Sequence, residues 1–376
     1  MKQVEYMEKV ALLNYDKYFN QGFADAGHNG PHGHIDTAVR NTAHYLIIYG
    51  FMYKKYGDKK YLDICTKFAD YLCKRQAESK SGAIKCMEDG TFDHLNGLIG
   101  QGWVIEALIY FYEITNNNKY LETAKRLFYT QRYDYELHLW HRIELDGSDI
   151  GIDPTYNHQV WFAACSCKLA EYCRDNEIDR MIKDFLSEGA QRDFVTYSDG
   201  LLHHSVNVKS KAMGKVKLKK LIKLFLTPFK AINPKKFELK YMEFAYHIFD
   251  IYGFIILQER YGDMPFFSSE RYKNALAYAL NVDEINRRCG VEKAIKEGKS
   301  FNIFSYSYNS PAFEYPYIAA SLGKIDKDKF DELYGIQEKL MLDKENEMFS
   351  RNNPDIDTWN ARTYEIIRFC EKIQLT

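Results

Sequence analysis

The stretch NGLIGQGWVIEALIYFYEITNN (96–117) runs directly into NKYLETAKRLFYTQ (118–131). The first segment is apolar nearly all round, as a helix enclosed by protein must be. The second sets Tyr120, Ala124, Leu127 and Phe128 on one stripe and charges opposite, as a helix with one face in water does. Together they read as a hairpin with an inner and an outer arm. The same alternation recurs in 36–57 then 58–76, 153–174 then 176–195, 240–261 then 268–280, and 310–323 then 327–344. The segment 357–374 can close the ring against 2–19. Lys60-Tyr61-Leu62-Asp63 returns as Lys119-Tyr120-Leu121-Glu122, a weak repeat of the kind stacked helix pairs leave. Six hairpins predict an all-α fold, an (α/α)6 toroid, with no strand-rich run competing.

Composition narrows the function. The 376 residues carry a net charge of −1, so no global field recruits nucleic acid. A toroid of this length folds as one unit, 1–376, with a Lys-rich insertion at 205–239. The run KVKLKKLIKLFLTPF (215–229) sets Leu218, Leu221, Ile222 and Phe225 between lysines. That pattern suits either peripheral contact with anionic lipid through 209–236 or a solvated insertion. The N-terminus shows no signal peptide, and no window reaches the roughly 20 apolar residues of a membrane span. Eight scattered cysteines suggest reduced thiols. The expected location is the cytoplasm, at the inner face of the membrane if the insertion binds lipid. No phosphate-binding loop, dinucleotide fingerprint or Gly-x-Ser-x-Gly elbow is present, so no cofactor is expected.

An acid with polar and aromatic company opens every inner arm: Asp36, Asp93, Asp153, Glu243, Glu314 and Asp357. If the inner helices run parallel, these starts meet at one rim and build an acidic, aromatic-walled pocket suited to a sugar. Tyr156-Asn157-His158-Gln159 is the strongest local group. Removing the C5 proton of a uronate makes an enolate-like dianion, which needs donors or cations and a nearby base. His158 is the candidate base, Asn157 and Arg40 the carboxylate holders, and Tyr156 or another rim tyrosine the group that returns a proton. Glu243 and His247, four apart on one inner helix, can face the cavity together or form a buried pair. Trp103, Tyr156, Trp161, Trp359, Tyr306 and Tyr308 offer stacking surfaces, with core packing the alternative for those on inner helices such as Trp103. Arg362 can fork onto a substrate carboxylate or neutralise a rim acid such as Glu314. Asp36, Asp153 and Asp357 can each be a plain helix cap, Asp153 above all because Pro154 follows it. The loop Gly27-His28-Asn29-Gly30-Pro31-His32-Gly33-His34 can line a cleft; three close imidazoles also admit a metal, but no helical His-x3-His supports one, and no metal is expected.

Residues 91–131, beginning TFDHLNGLIGQGW, resemble a stretch of the unsaturated glucuronyl and rhamnogalacturonyl hydrolases. Trp140-His141-Arg142 and Asn157-His158-Gln159-Val160-Trp161-Phe162-Ala163 look like their Trp-His-Lys and His-Gln-Met-Trp-Leu-Asp signatures, and Gly200-Leu201-Leu202-His203 is similar to a cleft loop. A closer resemblance covers most of the chain: the agl-cluster Q proteins of archaeal N-glycosylation and their bacterial relatives. It is carried by GHNGPHGHIDTAVRNTAHYLI (27–47), NGLIGQGW (96–103) and DPTYNHQVWFAA (153–164). These resemblances imply a six-hairpin glycosidase-like fold acting on a hexuronate-containing, anionic, lipid-linked or polymeric glycan. They also imply a catalytic role for Asp93 and substrate contacts for His28, Asn29, Asn96, Gln159 and His203. Polyuronate lyases of the helical toroid use a similar Asn-His pair. Where the hydrolases carry their general acid, however, this chain has Ala163. Isomerisation, epimerisation or elimination at C5 is therefore the expected chemistry. Glycoside hydrolysis by Asp93 with a second rim acid, or non-catalytic glycan binding, are the alternatives.

Overall fold

The computed structural model describes residues 1–206 and 234–374. The Lys-rich strip at 209–236, and nearly all of the 205–239 insertion, lies outside the described side chains.

The chain opens with Lys2–Gln21 (α1), Val39–Tyr56 (α2) and Lys59–Ala77 (α3). Gly97–Thr115 (α4) and Asn118–Thr130 (α5) follow, then Tyr156–Cys165 (α6), Cys167–Tyr172 (α7) and Asn176–Asp184 (α8). The second half contains Pro234–Tyr261 (α9), Glu270–Leu280 (α10), Pro311–Ser321 (α11), Lys327–Met341 (α12), Ile356–Arg362 (α13) and Ile367–Lys372 (α14). Neighbour contacts run α2 to α4 to α6 to α9 to α11, then through α13 and α14 back to α2. That closed inner ring, with α3, α5, α8, α10, α12 and α1 outside it, is an (α/α)6 toroid.

Sequence explains the two layers. Every residue of α4 from Gly97 to Phe111 is buried, whereas α5 buries only one stripe that includes Tyr120, Leu127 and Phe128. The layers also differ at their starts. Outer helices α3, α5, α8, α10 and α12 are capped by their own Asp58, Asn117, Asp175, Ser269 and Asp326 side chains. Inner helices α2, α4, α6 and α11 have no such cap. Their first-turn N–H groups must be satisfied from elsewhere, and all of them point to one mouth of the ring.

Three features depart from the sequence reading. The segment between α5 and α6 is a small antiparallel sheet of Tyr133–Asp134 (β1), Leu139–Ile143 (β2) and Asp149–Ile152 (β3), pairing Tyr133 with Trp140 and His141 with Ile152. Strands of two to five residues are too short for an alternating pattern to show. The expected helix 153–174 starts only at Tyr156 and is broken at Ser166, and 357–374 changes to a 3-10 turn at Thr363–Ile366. Among the described residues, no helix is long and apolar enough to cross a membrane. All eight cysteines are free thiols.

Candidate active site

The mouth encloses a cavity of about 330 Å³. Of the residues singled out in the sequence, Asn29, His32, His34, Asp93, Asn96, Trp103, Asp153, Asn157, His158, Tyr308 and Arg362 line it. Arg142, Asp89, Phe92, His204, Tyr246 and Phe249 also line it.

The start of α4 organises one wall. Asn96 and Gly97 both adopt left-handed backbone angles, φ 55° and 59°. Gly97 has a steric reason to be glycine: a Cβ there would lie 2.2 Å from His158 Nδ1 and 2.4 Å from Asp153 Oδ2. Two aspartates, Asp93 in the turn leading into α4 and Asp153 from a remote segment, supply the cap that its N-cap residue does not. Asp93 Oδ1 accepts from Leu95 N at 2.9 Å and Gly97 N at 3.0 Å, and its Oδ2 accepts from Arg142 Nη1 at 2.9 Å. Asp153 Oδ2 accepts from Leu98 N at 2.9 Å and faces His158 Nδ1 at 3.0 Å. Successive amides of one helix start therefore each hold an aspartate, and each aspartate holds one cavity side chain.

Asp153 is thus a cap of α4, not of its own helix, whose N-cap is Thr155. Burial alone would raise its pKa, but His158, Arg142 and the Leu98 N–H outweigh that and hold the carboxyl below the usual range. A carboxylate on Nδ1 orients the His158 ring and turns its Nε2 toward the cavity. No partner for Nε2 exists among the described residues, and His158 is part-exposed to the cavity.

A second wall is aromatic. His32 Nε2 and the Tyr246 hydroxyl are hydrogen-bonded at 2.6 Å, and the His32 ring packs against Phe304 and Tyr308. Burial, reinforced by Arg40, lowers the His32 pKa to about 4, and burial raises that of Tyr246 well above the normal value. His204 stands edge-on to Tyr246, and burial, then His158, lowers it to about 3. Gly30 lets the His32 loop press on this wall, since a Cβ there would meet the Tyr308 ring at 2.2 Å.

Beneath both walls lies a floor of buried charge. Arg40 stacks on Trp103 at 4.4 Å, donates to Asn29 Oδ1 at 2.7 Å and to the Tyr308 hydroxyl at 3.2 Å, and is 1% exposed. It underlies the cavity without lining it. Its neighbour Asp36, 3.6 Å away, is pushed by burial up to about 6 against the guanidinium's opposing charge. Arg362 gives its donors to Asn309, Glu314 and Glu365. Burial and then the Glu365 charge raise the Glu314 pKa despite Arg362. Asp250, bonded by Asn157, is pushed well up by burial.

Several sequence candidates lie away from the cavity. Tyr156 is fully buried and donates to Ala190 O at 3.1 Å, so it cannot reach a ligand in the cavity. The Gln159 amide clips β2 to α6 by accepting from Trp140 N at 2.9 Å and donating to Trp140 O at 2.8 Å. Trp161 stacks on Phe249 and Tyr252 in the core, and Trp359 donates to Tyr306 O at 2.8 Å. The Tyr306 hydroxyl donates to Asn286, and Glu314 is fully buried beside Arg362. His247 accepts from Leu202 N and contacts Ala275 O, while Glu243 takes Tyr197 and His204 N. These two residues pin the 195–204 loop instead of facing sugar. His203 stacks on Tyr197 at 4.0 Å and sits 3.5 Å from Glu243. His28 lies against Pro354 O at 2.8 Å, and its N–H donates to Asp355. Asp355, not Asp357, caps α13. The loop histidines point three ways, and among the described residues no group of three or more His, Cys, Asp or Glu is placed to hold a metal ion.

Sequence reading passed over Tyr246 and His204, and gave no role of their own to Arg142, seen only in the Trp140-His141-Arg142 motif, and His32, seen only as part of the loop that can line a cleft. Trp140, on the same strand as Arg142, packs among Phe128, Phe162 and Phe185.

No family model matches the chain. It is 26% identical over 357 residues to archaeal glycosylation protein Q of Haloferax volcanii, covering 93% of this chain and 92% of that one. A heparin-specific unsaturated glucuronyl hydrolase shares the fold with a TM-score of 0.60 and 13% identity, over 100% of this chain and 98% of the other. A cellobiose 2-epimerase of Bacillus thermoamylovorans superposes with a TM-score of 0.62 and 12% identity, over 97% and 99%. The resemblance read from 27–47, 96–103 and 153–164 thus extends along nearly the whole chain.

Proposed function

We propose that this chain is an enzyme of glycan assembly that removes and returns the C5 proton of a terminal hexuronate, isomerising or epimerising it. The observation that carries this reading is the Asp153–His158 pair, with His158 Nε2 open to the cavity. The C5–H bond is acidified by the adjacent carboxylate. His158 Nε2 takes the proton, and the electron pair moves into the carboxylate as an enediolate. Reprotonation from the far face inverts C5, and Tyr246 with its His32 partner is the donor on the aromatic wall. Preorganised donors lower the cost of the dianion.

Ligand pockets span about 300–1,000 Å³, so this one suits a single sugar ring. Phe92, 76% exposed at its lip, offers a face for the next residue of a chain. The similarity to a glycosylation protein supports assembly over breakdown. Hydrolysis by Asp93 has less support: all its hydrogen bonds are accepted ones, and Ala163 is fully buried core. We further propose a lipid-linked glycan met at the inner face of the membrane, with 209–236 as the contact; sedimentation with anionic vesicles, against a chain lacking 209–236, tests it.

The deciding experiment is incubation with cellobiouronic acid in heavy water. Deuterium at C5 without new reducing ends is expected. New reducing ends would mean hydrolysis, an ultraviolet-absorbing double bond elimination, and binding with no conversion a non-catalytic glycan-binding subunit.

A further inference from the structure

Three guanidiniums stand at or under the cavity, and their hydrogen bonds are spent very differently. Arg362 has donors on three side chains and a ring over its face, Tyr308 at 4.6 Å. Arg40 is closed in by Trp103, Tyr308 and Asn29; its Nε is also buried without a partner, but the residue is 1% exposed and does not line the cavity. Neither offers a free edge to a ligand in the cavity. Arg142 makes one bond, from Nη1 to Asp93. Its Nε is buried with no partner, and no partner for Nη2 exists among the described residues. One whole edge of this fork is therefore unspent, and a buried donor without a partner is a standing cost unless a ligand meets it.

The charge accounting agrees. Asp93 shares its charge with Leu95 N and Gly97 N at the positive end of the 19-residue α4, so it does not cancel Arg142 alone. The position is rigid: Gln159 clips β2 at Trp140, two residues before Arg142. It is also beside the base, because Asp93 and Asp153 hold Arg142 and His158 on neighbouring amides, Gly97 and Leu98. A carboxylate and the hydrogen on the carbon next to it need a cation and a base in that adjacent arrangement.

We propose that Arg142 is the residue that grips the substrate carboxylate, through its Nε–Nη2 edge, and so makes the site select a uronate over the neutral hexose of the same ring. The assignment deepens the C5–H reading and rests on it for the choice of sugar. Bidentate pairing is the geometry guanidinium and carboxylate share, and lysine cannot copy it.

Calorimetric binding of cellobiouronic acid and cellobiose to the full-length protein, Arg142→Met and Arg142→Lys tests it, with melting curves confirming that each variant is folded. The wild type is expected to prefer the uronate by about 10- to 100-fold, as for hydrogen bonds to charged groups. Arg142→Met should erase that preference and leave cellobiose binding unchanged; Arg142→Lys should keep part of it. Arg142→Lys also covers the case in which Arg142→Met does not fold. Undiminished preference in either folded variant, or none in the wild type, overturns the proposal. Deuterium exchange on the same proteins separates the two ideas. Exchange by the wild type with preference intact in Arg142→Met removes Arg142 alone. Preference lost in Arg142→Met with no exchange by the wild type removes the C5–H reaction and keeps the carboxylate grip.

Discussion

The two ends of the inner ring each hold a cavity of nearly the same size, about 330 Å³ at the mouth and about 310 Å³ at the far end. Both are rich in charge, yet they spend it differently. At the far end Glu106 takes Arg368, Tyr364 and Cys165; Glu371 takes Lys54 and Tyr110; Glu259 takes Lys372, Tyr317 and Ser321. One lining atom there, Arg368 Nε, is buried without a partner. At the mouth Trp103 Nε1, Arg142 Nε, Asn157 Oδ1 and His204 Nδ1 are all in that state. Volume does not separate a site from a plug; unspent hydrogen bonds do.

That contrast can be broken in order of expected effect. His158→Ala should cut C5 exchange by at least about 10³-fold, within the range of general-base catalysis, with the melting temperature held. Exchange that persists would remove the mouth as the reacting end. Glu106→Gln leaves Arg368 without its carboxylate partner and should lose about 3 kcal/mol in denaturant unfolding while exchange is unchanged. A variant of normal stability with impaired exchange would reverse the assignment of the two ends. Asp153→Asn leaves His158 in place without its orienting carboxylate, so kcat should fall about 10- to 100-fold and KM stay near wild type. A rise in KM with kcat unchanged would make Asp153 merely structural.

The smallest effect is a pH dependence. His204 is neutral in the folded protein, with a pKa lowered by burial to about 3 against 6.5 when free. Between those values the unfolded chain binds the extra proton, so this residue's contribution to stability is present above pH 6.5 and drains away as pH falls toward 3. His204→Asn should therefore gain on the wild type as pH drops from 7 to 5, by at most about 1.4 kcal/mol per pH unit. Thermal melts across that range measure it, and a constant gap would show that the ring is not buried as neutral imidazole.

Much of the fold was legible because burial leaves a period. Apolar all round against apolar on one stripe distinguishes α4 from α5 without any coordinates, and the alternation, once repeated, forces a ring. The short sheet left no such trace, and neither did the break at Ser166, where local geometry overrides an unbroken apolar pattern. Of the candidate site, Asp93, Asn157 and His158 were found because they open inner arms, with the hydrolase resemblance deciding for Asp93, and Asn29 and Asn96 because they fall in the family-like blocks. Tyr156, Gln159, Trp161, His247 and Trp359 share those segments and turn the other way. A helix start spans a full turn of directions, so which neighbour looks inward is settled by packing.

By itself, then, the chain determined its periodic features: six inner arms, their acidic starts and the single mouth those starts imply. Only the tertiary structure decided partnership. That Asp153 caps a helix 55 residues back while steadying His158, or that Arg142 keeps an edge free while Arg362 keeps none, depends on distances between segments remote in sequence. A hydrogen bond is a matter of a few tenths of an ångström, and no one-dimensional pattern records that.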